Sequence, residues 1–145
     1  MQIKEMKSED VACYAQLFRD VFNEGPWFDE WTLETAQKRL SQFMGTGQFF
    51  GLCGEENGEL LGLICGQREE YYDGPRFCIQ EFCVDCRKQG TGCGKKLLEE
   101  LSVRLKQEGI SYFYLVTQRG ESTQGYYLRR GFQTDHDLIV MHRKG

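Results

Sequence analysis

Three glycines fall on alternate positions in Gln89-Gly90-Thr91-Gly92-Cys93-Gly94-Lys95-Lys96, and the run leads straight into the amphipathic stretch LLEELSVRL. Residues without side chains let backbone amides turn outward and allow close approach. The first turn of the following helix adds unpaired N–H groups and the positive end of a dipole. Lys95 and Lys96 bring charge to the rim. Together these features make a seat for a pyrophosphate, with a glycine-rich turn that holds nothing as the alternative. Two nucleotide signatures fail here. GxxxxGK[ST] lacks its first glycine and meets Lys96 where a hydroxyl is required, and GxGxxG, begun by Gly90 and Gly92, meets Lys95 at its sixth position.

Two other stretches combine carboxylates with aromatic rings: Glu24, Trp27, Asp29, Glu30 and Trp31 in EGPWFDEW, and Glu69, Glu70, Tyr71, Tyr72 and Asp73 in REEYYDG. A cationic amine would be drawn by the acids and held by the rings. The alternative is a pair of solvated loops with anchoring aromatics. Cys83 and Cys86 have CxxC spacing, but a zinc site needs a second pair or nearby histidines, and His136 and His142 lie far downstream. Small buried side chains are the better reading, so no metal is expected.

The elements that must position these residues follow from periodicity. Residues 2–6 read as a strand, and Ser8 offers an N-cap for a helix to about residue 23 with Val11, Tyr14, Phe18, Val21 and Phe22 on one face. Thr32 caps a second helix whose inner stripe is Leu33, Ala36, Leu40 and Phe43. A hairpin turning at Asn57-Gly58 comes next, then a strand over 76–84 and a helix over 92–107 closed by Gly109. ISYFYLV reads as a central strand, a helix spans about 122–130, and FQTDHDLIVMHR contributes one or two last strands. The predicted order is β-α-α-β-β-β-α-β-α-β(β): an α/β mixed sheet with helices on both sides, in one domain over residues 1–145.

Composition narrows the partners. The 145 residues, 40% hydrophobic and 13% aromatic, suffice for one core, and a net charge of −4 disfavours nucleic acid. No apolar run is long enough to span a membrane, and MQIKEMKSED lacks the apolar centre of a signal peptide. Seven scattered cysteines suit a reducing compartment, so a cytoplasmic location is expected.

Gln89-x-x-Gly92-x-Gly94 resembles the Q/R-x-x-G-x-G/A signature of the GNAT acetyltransferase superfamily, and YYLRRGF, Tyr126 to Phe132, resembles its FYxxxGF element at the expected distance. The expected element order is similar to that family's fold over nearly the whole chain. The resemblance implies an acetyl-CoA-dependent N-acetyltransferase in which Gln89, Gly90, Thr91, Gly92, Cys93, Gly94 and Lys95 form the pyrophosphate loop of acetyl-CoA. Phe82, Cys83 and Val84 would then form the splayed strand along the pantetheine arm, where a backbone N–H polarises the thioester carbonyl. Tyr127 aligns with the family tyrosine that protonates the departing thiolate, a role suited to a phenol titrating near about 10. Gly120 stands where many members carry Asn.

For the general base, Glu81 lies on the strand where members often place a carboxylate, with a structural ion pair as its alternative role. Glu69, Glu70 and Asp85 are further candidates. Strand alternation puts Glu81 on the opposite face from Gln80 and Phe82 unless a bulge intervenes. Trp27, Asp29, Glu30, Glu70 and Tyr71 are expected around the acceptor, a small amine. FNEGPWFDEWTLETA and the chain length are similar to bacterial aminoglycoside 6'-N-acetyltransferases. An aminoglycoside-like or polyamine-like acceptor with direct transfer is therefore expected, and a homodimer is the preferred assembly. A peptide or protein amine acetyltransferase, or a non-catalytic acyl-CoA-binding module, is the alternative.

Overall fold

The chain runs β1 (Gln2–Glu5), α1 (Val11–Phe22), α2 (Leu33–Met44), β2 (Phe49–Glu56), β3 (Glu59–Glu69), β4 (Arg76–Val84), α3 (Cys93–Gln107), β5 (Phe113–Tyr114) and α4 (Gln124–Arg129). The computed structural model describes residues Met1–Gly145. The chain forms two compact units, Met1–Leu115 with the sheet and three helices and Val116–Gly145 with α4. The architecture is the expected mixed α/β one. No helix is long and apolar enough to cross a membrane.

The sheet order is β1-β2-β3-β4-β5, antiparallel throughout except for the parallel β4–β5 pair. Its strands sort their side chains by alternation. Cys53, Leu63, Cys65 and Cys83 join Tyr14, Ala15, Phe18 and Val21 of α1 and Ala36 and Leu40 of α2 in one buried cluster. The other face lies against α3: a Cβ added to Gly62 would meet Leu97 Cδ1 at 3.0 Å, and Leu97, Leu101 and Leu105 are buried. Within the first unit α1, α2 and α3 each bury a single apolar stripe, as amphipathic spacing requires.

Local signals explain several boundaries. Thr32 Oγ1 accepts from Thr35 N at 3.0 Å while Thr32 N donates to Thr35 Oγ1 at 2.9 Å, a reciprocal cap at the start of α2. Leu33 lies outside the expected stripe, 43% exposed, whereas Ala36, Leu40 and Phe43 are buried. The expected cap at Ser8 is not made: residues Ser8–Asp10 form a 3-10 turn and α1 starts at Val11 without a side-chain cap. The entering chain is tied down instead by Lys7 N, which donates to Tyr14 Oη at 3.0 Å.

Two expectations at the C-terminal end need correction. The central strand read over ISYFYLV shrinks to Phe113–Tyr114, and FQTDHDLIVMHR forms no strand. Leu138, Ile139, Val140 and Met141 are 72–82% exposed. Apolar, β-branched composition gives a segment strand propensity, but a strand exists only where a ladder partner takes its amides and carbonyls. No ladder reaches these residues.

Candidate active site

β4 carries Glu81, Phe82, Cys83 and Val84, and a bulge decides which way they face. Cys65 lies opposite Glu81 and Gly66 opposite Ile79, so Gln80 is an extra residue on β4. Cross-strand partners share a face, and one inserted residue exchanges the faces beyond it. Ile79, paired with Gly66, therefore faces α3, while Glu81 and Cys83, paired with Cys65 and Leu63, face α1 and α2. The bulge that sequence alone left open is present, and Glu81 lies on the face of the sheet covered by α1 and α2.

Glu81 is 8% exposed. Arg39 of α2 donates from Nε to Glu81 Oε1 at 3.0 Å, and its guanidinium lies 4.4 Å from the centre of the Phe43 ring, one helical turn on. Burial pushes the Glu81 carboxyl up to about 7, and the charge of Asp29 adds to the push; the charge and hydrogen bond of Arg39 oppose it. A carboxylate half-ionised near neutral pH is matched to accepting a proton. Burial also raises the neighbouring Cys65 and Cys83 thiols, with the charge of Glu81 contributing, so both stay protonated.

The same strand supplies backbone donors. Asp85 N donates to Leu61 O at 2.7 Å, which fixes the ladder's alternation: Glu81 and Cys83 bond toward β3, and the amides of Phe82 and Val84 point the other way. On that other side β5 pairs only with Phe77 and Cys78 and then ends, so the two parallel strands part. Of the three residues expected along the pantetheine arm, Phe82 and Val84 direct their amides to this opening. Cys83 turns its amide into the sheet and its side chain into the core.

The glycine loop follows at once. Gln89 Nε2 donates to Val84 O at 3.1 Å, tying the loop to the end of β4. Gly90 and Gly92 adopt φ of 81° and 88°, and a Cβ at either would meet nothing within 4 Å. The space beside both glycines is open. α3 starts at Cys93, with the first helical bond from Lys96 N to Gly92 O at 3.1 Å; the amides before Lys96 are the ones such a helix leaves for an anion. Cys93 is buried with Sγ 3.2 Å from Met1 Sδ, so its amide alone is placed for a ligand, and Thr91 Oγ1 donates to Lys88 O at 2.5 Å. Lys95 is exposed at the rim. A pyrophosphate fits this cradle of amides and lysine.

The loop between α1 and α2 is held by its aromatics. Trp27 meets Phe22 edge-on at 4.9 Å and Trp31 meets Phe18 likewise at 4.9 Å. Asn23 clamps Trp31 from both sides, its Oδ1 accepting from Trp31 N at 2.8 Å and its Nδ2 donating to Trp31 O at 2.9 Å. Asp29 Oδ2 accepts from Trp31 Nε1 at 3.0 Å, and Asp29 and Glu30 are exposed. In the second loop Glu70 and Tyr71 are exposed, and Arg76 lies 3.6 Å from the Tyr71 ring centre.

Two of the alternative carboxylates, Glu69 and Asp85, are engaged by neighbouring side chains. Glu69 Oε1 accepts from Tyr114 Oη at 2.6 Å. Asp85 accepts from Arg87 N at 2.8 Å and Nε at 3.1 Å, and the Arg87 bonds hold its carboxyl below the usual range. Within the second unit Tyr127 lies in α4, its ring edge-on to Tyr126 and against Phe132, both at 5.4 Å. Phe132 N donates to Tyr127 O at 3.0 Å, closing the helix. Arg39 was missed in the sequence; the available signal was a cation adjoining the buried stripe Ala36, Leu40 and Phe43.

The profile of the acetyltransferase (GNAT) family matches residues 11–132. No curated protein matches the sequence. Solved structures of the same fold include an aminoglycoside acetyltransferase from an uncultured soil metagenomic sample in complex with sisomicin (18% identity, TM-score 0.70, 99% of this chain and 94% of that one). Others are the ribosomal-protein-alanine N-acetyltransferase of Brucella melitensis biovar Abortus 2308 (15%, 0.77, 98% of each chain) and a predicted acetyltransferase with acetyl-CoA from Clostridium acetobutylicum (14%, 0.72, 97% and 95%). At such identities these likenesses establish the fold alone. The profile covers most of the chain, which therefore belongs to the acetyltransferase (GNAT) family, whose members use acetyl-CoA.

Proposed function

We propose that the protein, acting as a single acetyltransferase domain over residues 1–145, moves an acetyl group from acetyl-CoA to a primary amine of a small cationic acceptor, aminoglycoside-like or polyamine-like, by direct transfer. The observation that carries this reading is the adjacency on β4 of a buried carboxylate poised near neutral pH, Glu81, and the outward amides of Phe82 and Val84. Acetyl-CoA supplies an activated thioester. Its pyrophosphate would be held by the amides of Gly90 to Lys95, and Phe82 or Val84 would donate to the carbonyl oxygen as charge develops there.

An ammonium acceptor must lose a proton before its nitrogen has a lone pair to offer. Glu81 takes that proton, directly or through one water. The nitrogen–carbon bond forms as the carbon–sulfur bond breaks, and Tyr127 gives its phenolic proton to the leaving sulfur. The proton on the product nitrogen passes to solvent, from which Tyr127 is restored, and Glu81 releases the proton it accepted to solvent, which returns the carboxylate for the next turnover. Asp29 and Glu30 supply a negative field for a cation, and the sisomicin-bound acetyltransferase of the same fold supports that acceptor class.

The free state of all seven cysteines supports a cytoplasmic location, and the exposed run Leu138–Met141 supports a homodimer. The test of the reaction is thiol release from acetyl-CoA in the presence of aminoglycosides, polyamines, amino acids and peptides. Release with polycations is expected. Release only with peptides would move the acceptor class, and binding of acetyl-CoA without release by any amine would leave a carrier of the cofactor and sink the reading.

A further inference from the structure

Arg39 reaches Glu81 from a different element, 42 residues away in sequence, and it engages one carboxylate oxygen only. The bond runs from Nε to Oε1; no second hydrogen bond within the protein engages the carboxylate. The guanidinium lies over Phe43 at 4.4 Å, which fixes the plane of the fork, and 41% of the Arg39 side chain is exposed, so the cation is itself kept partly hydrated. Arg39 and Phe43 occupy successive turns of α2, a helix whose start is locked by the Thr32–Thr35 cap.

We infer that Arg39 is a positioning residue for the reaction proposed above: its one-sided bond orients Glu81 with Oε1 anchored and Oε2 left to accept the acceptor's proton. The inference rests on that proposed reaction. A bidentate pair would engage both oxygens, and an unpaired carboxyl buried among apolar groups would stay neutral at physiological pH. The single bond avoids both states. The charged and titratable groups facing Glu81 are Arg39 from α2, Asp29 from the loop before α2, Cys65 from β3 and Cys83 from β4 itself. Arg39 is the only cation among them.

Arg39→Met keeps an unbranched side chain of similar length beside Phe43 and removes the charge and the fork; Arg39→Lys restores the charge. Two readouts are taken on the intact protein. The Glu81 carboxyl is titrated by carbon-13 NMR, with Glu81→Gln identifying its resonance, and the pH profile of kcat/KM is measured for acetyl-CoA with sisomicin and with spermidine. In Arg39→Met the carboxyl midpoint and the acid limb of the rate profile should move together to higher pH. At pH 7 kcat/KM should fall at least about tenfold while KM for acetyl-CoA holds, and Arg39→Lys should recover most of the shift.

A midpoint or an acid limb unmoved in Arg39→Met, with Glu81→Gln strongly impaired, overturns this inference and leaves the proposed reaction standing. Full activity in Glu81→Gln, or no turnover by the unmodified protein with either amine, overturns the proposed reaction and this inference with it. Thermal melting of each variant separates loss of fold from loss of positioning. A variant that melts below assay temperature is replaced in the comparison by Arg39→Gln, which also lacks the charge: a midpoint and acid limb that rise together support the inference, and an unmoved pair overturns it.

Discussion

Gly66 faces Ile79 across the β3–β4 ladder while its neighbour Cys65 faces Glu81, and the residue skipped between them, Gln80, turns Glu81 toward the helices α1 and α2. The crossing is so close that a Cβ on Gly66 would overlap the carbonyl of Cys78 and crowd Ile79 Cα, backbone atoms that no rotamer change can move aside. Gly66→Ala should therefore disturb the bulge rather than a side chain. Its expected cost is about 1–3 kcal/mol or more, with loss of acetyl transfer out of proportion to the drop in Tm. Wild-type activity in a stably folded Gly66→Ala would separate the bulge from the chemistry.

Glu81 makes stability depend on pH in a fixed direction. Its folded value, about 7, lies above the ordinary 4.5, so the folded state holds the proton more tightly than the unfolded one. The contribution is fully present below about pH 4.5 and is lost as pH rises through 7, a swing of about 3 kcal/mol at most. The melting temperature of Glu81→Gln relative to the unmodified protein should accordingly rise between pH 5 and pH 8. A constant difference across that range would mean that the carboxyl titrates as an exposed one.

Replacing Gly92 tests the pyrophosphate seat. At φ 88° any L side chain strains the turn by roughly 1–2 kcal/mol, and a branched one would also stand over the open amides. Gly92→Val should weaken acetyl-CoA binding by calorimetry, and dephospho-coenzyme A should lose affinity in step, because the loop is built for the pyrophosphate. An unchanged Kd for acetyl-CoA would remove the loop from cofactor binding.

Asp29→Asn with Glu30→Gln neutralises the acidic loop, and the amide oxygen introduced in place of the Asp29 carboxylate can still accept from Trp31 Nε1, so the loop should keep its shape. The expected result is a higher KM for a polycationic amine, a nearly constant KM for acetyl-CoA, and loss of salt sensitivity in the first of these. Equal changes in both constants would mark the loop as structural.

Tyr127→Phe removes one hydroxyl and keeps the ring against Tyr126 and Phe132. With general acid catalysis worth roughly 10²- to 10⁴-fold, kcat should fall steeply and cofactor affinity should hold. The deficit should shrink with a more acidic leaving thiol. Full kcat with the natural thioester, where chemistry limits the rate, would leave Tyr127 a packing residue.

The parts of this protein that depend on local chemistry are legible in its residue order. The glycine loop before α3, the Asn57–Gly58 turn, the Thr32 cap and the span of β4 are written in residue types a few positions apart, because backbone conformation and helix termini answer to near neighbours. Tertiary structure decided what depends on partners distant along the chain. Whether Glu81 faced the helices turned on one unpaired residue in the β3–β4 ladder, and Arg39 became its partner only when α2 folded across the sheet. The apolar run Leu138–Met141 reads as a strand but pairs with none, since propensity is a property of the segment and a ladder is a property of two.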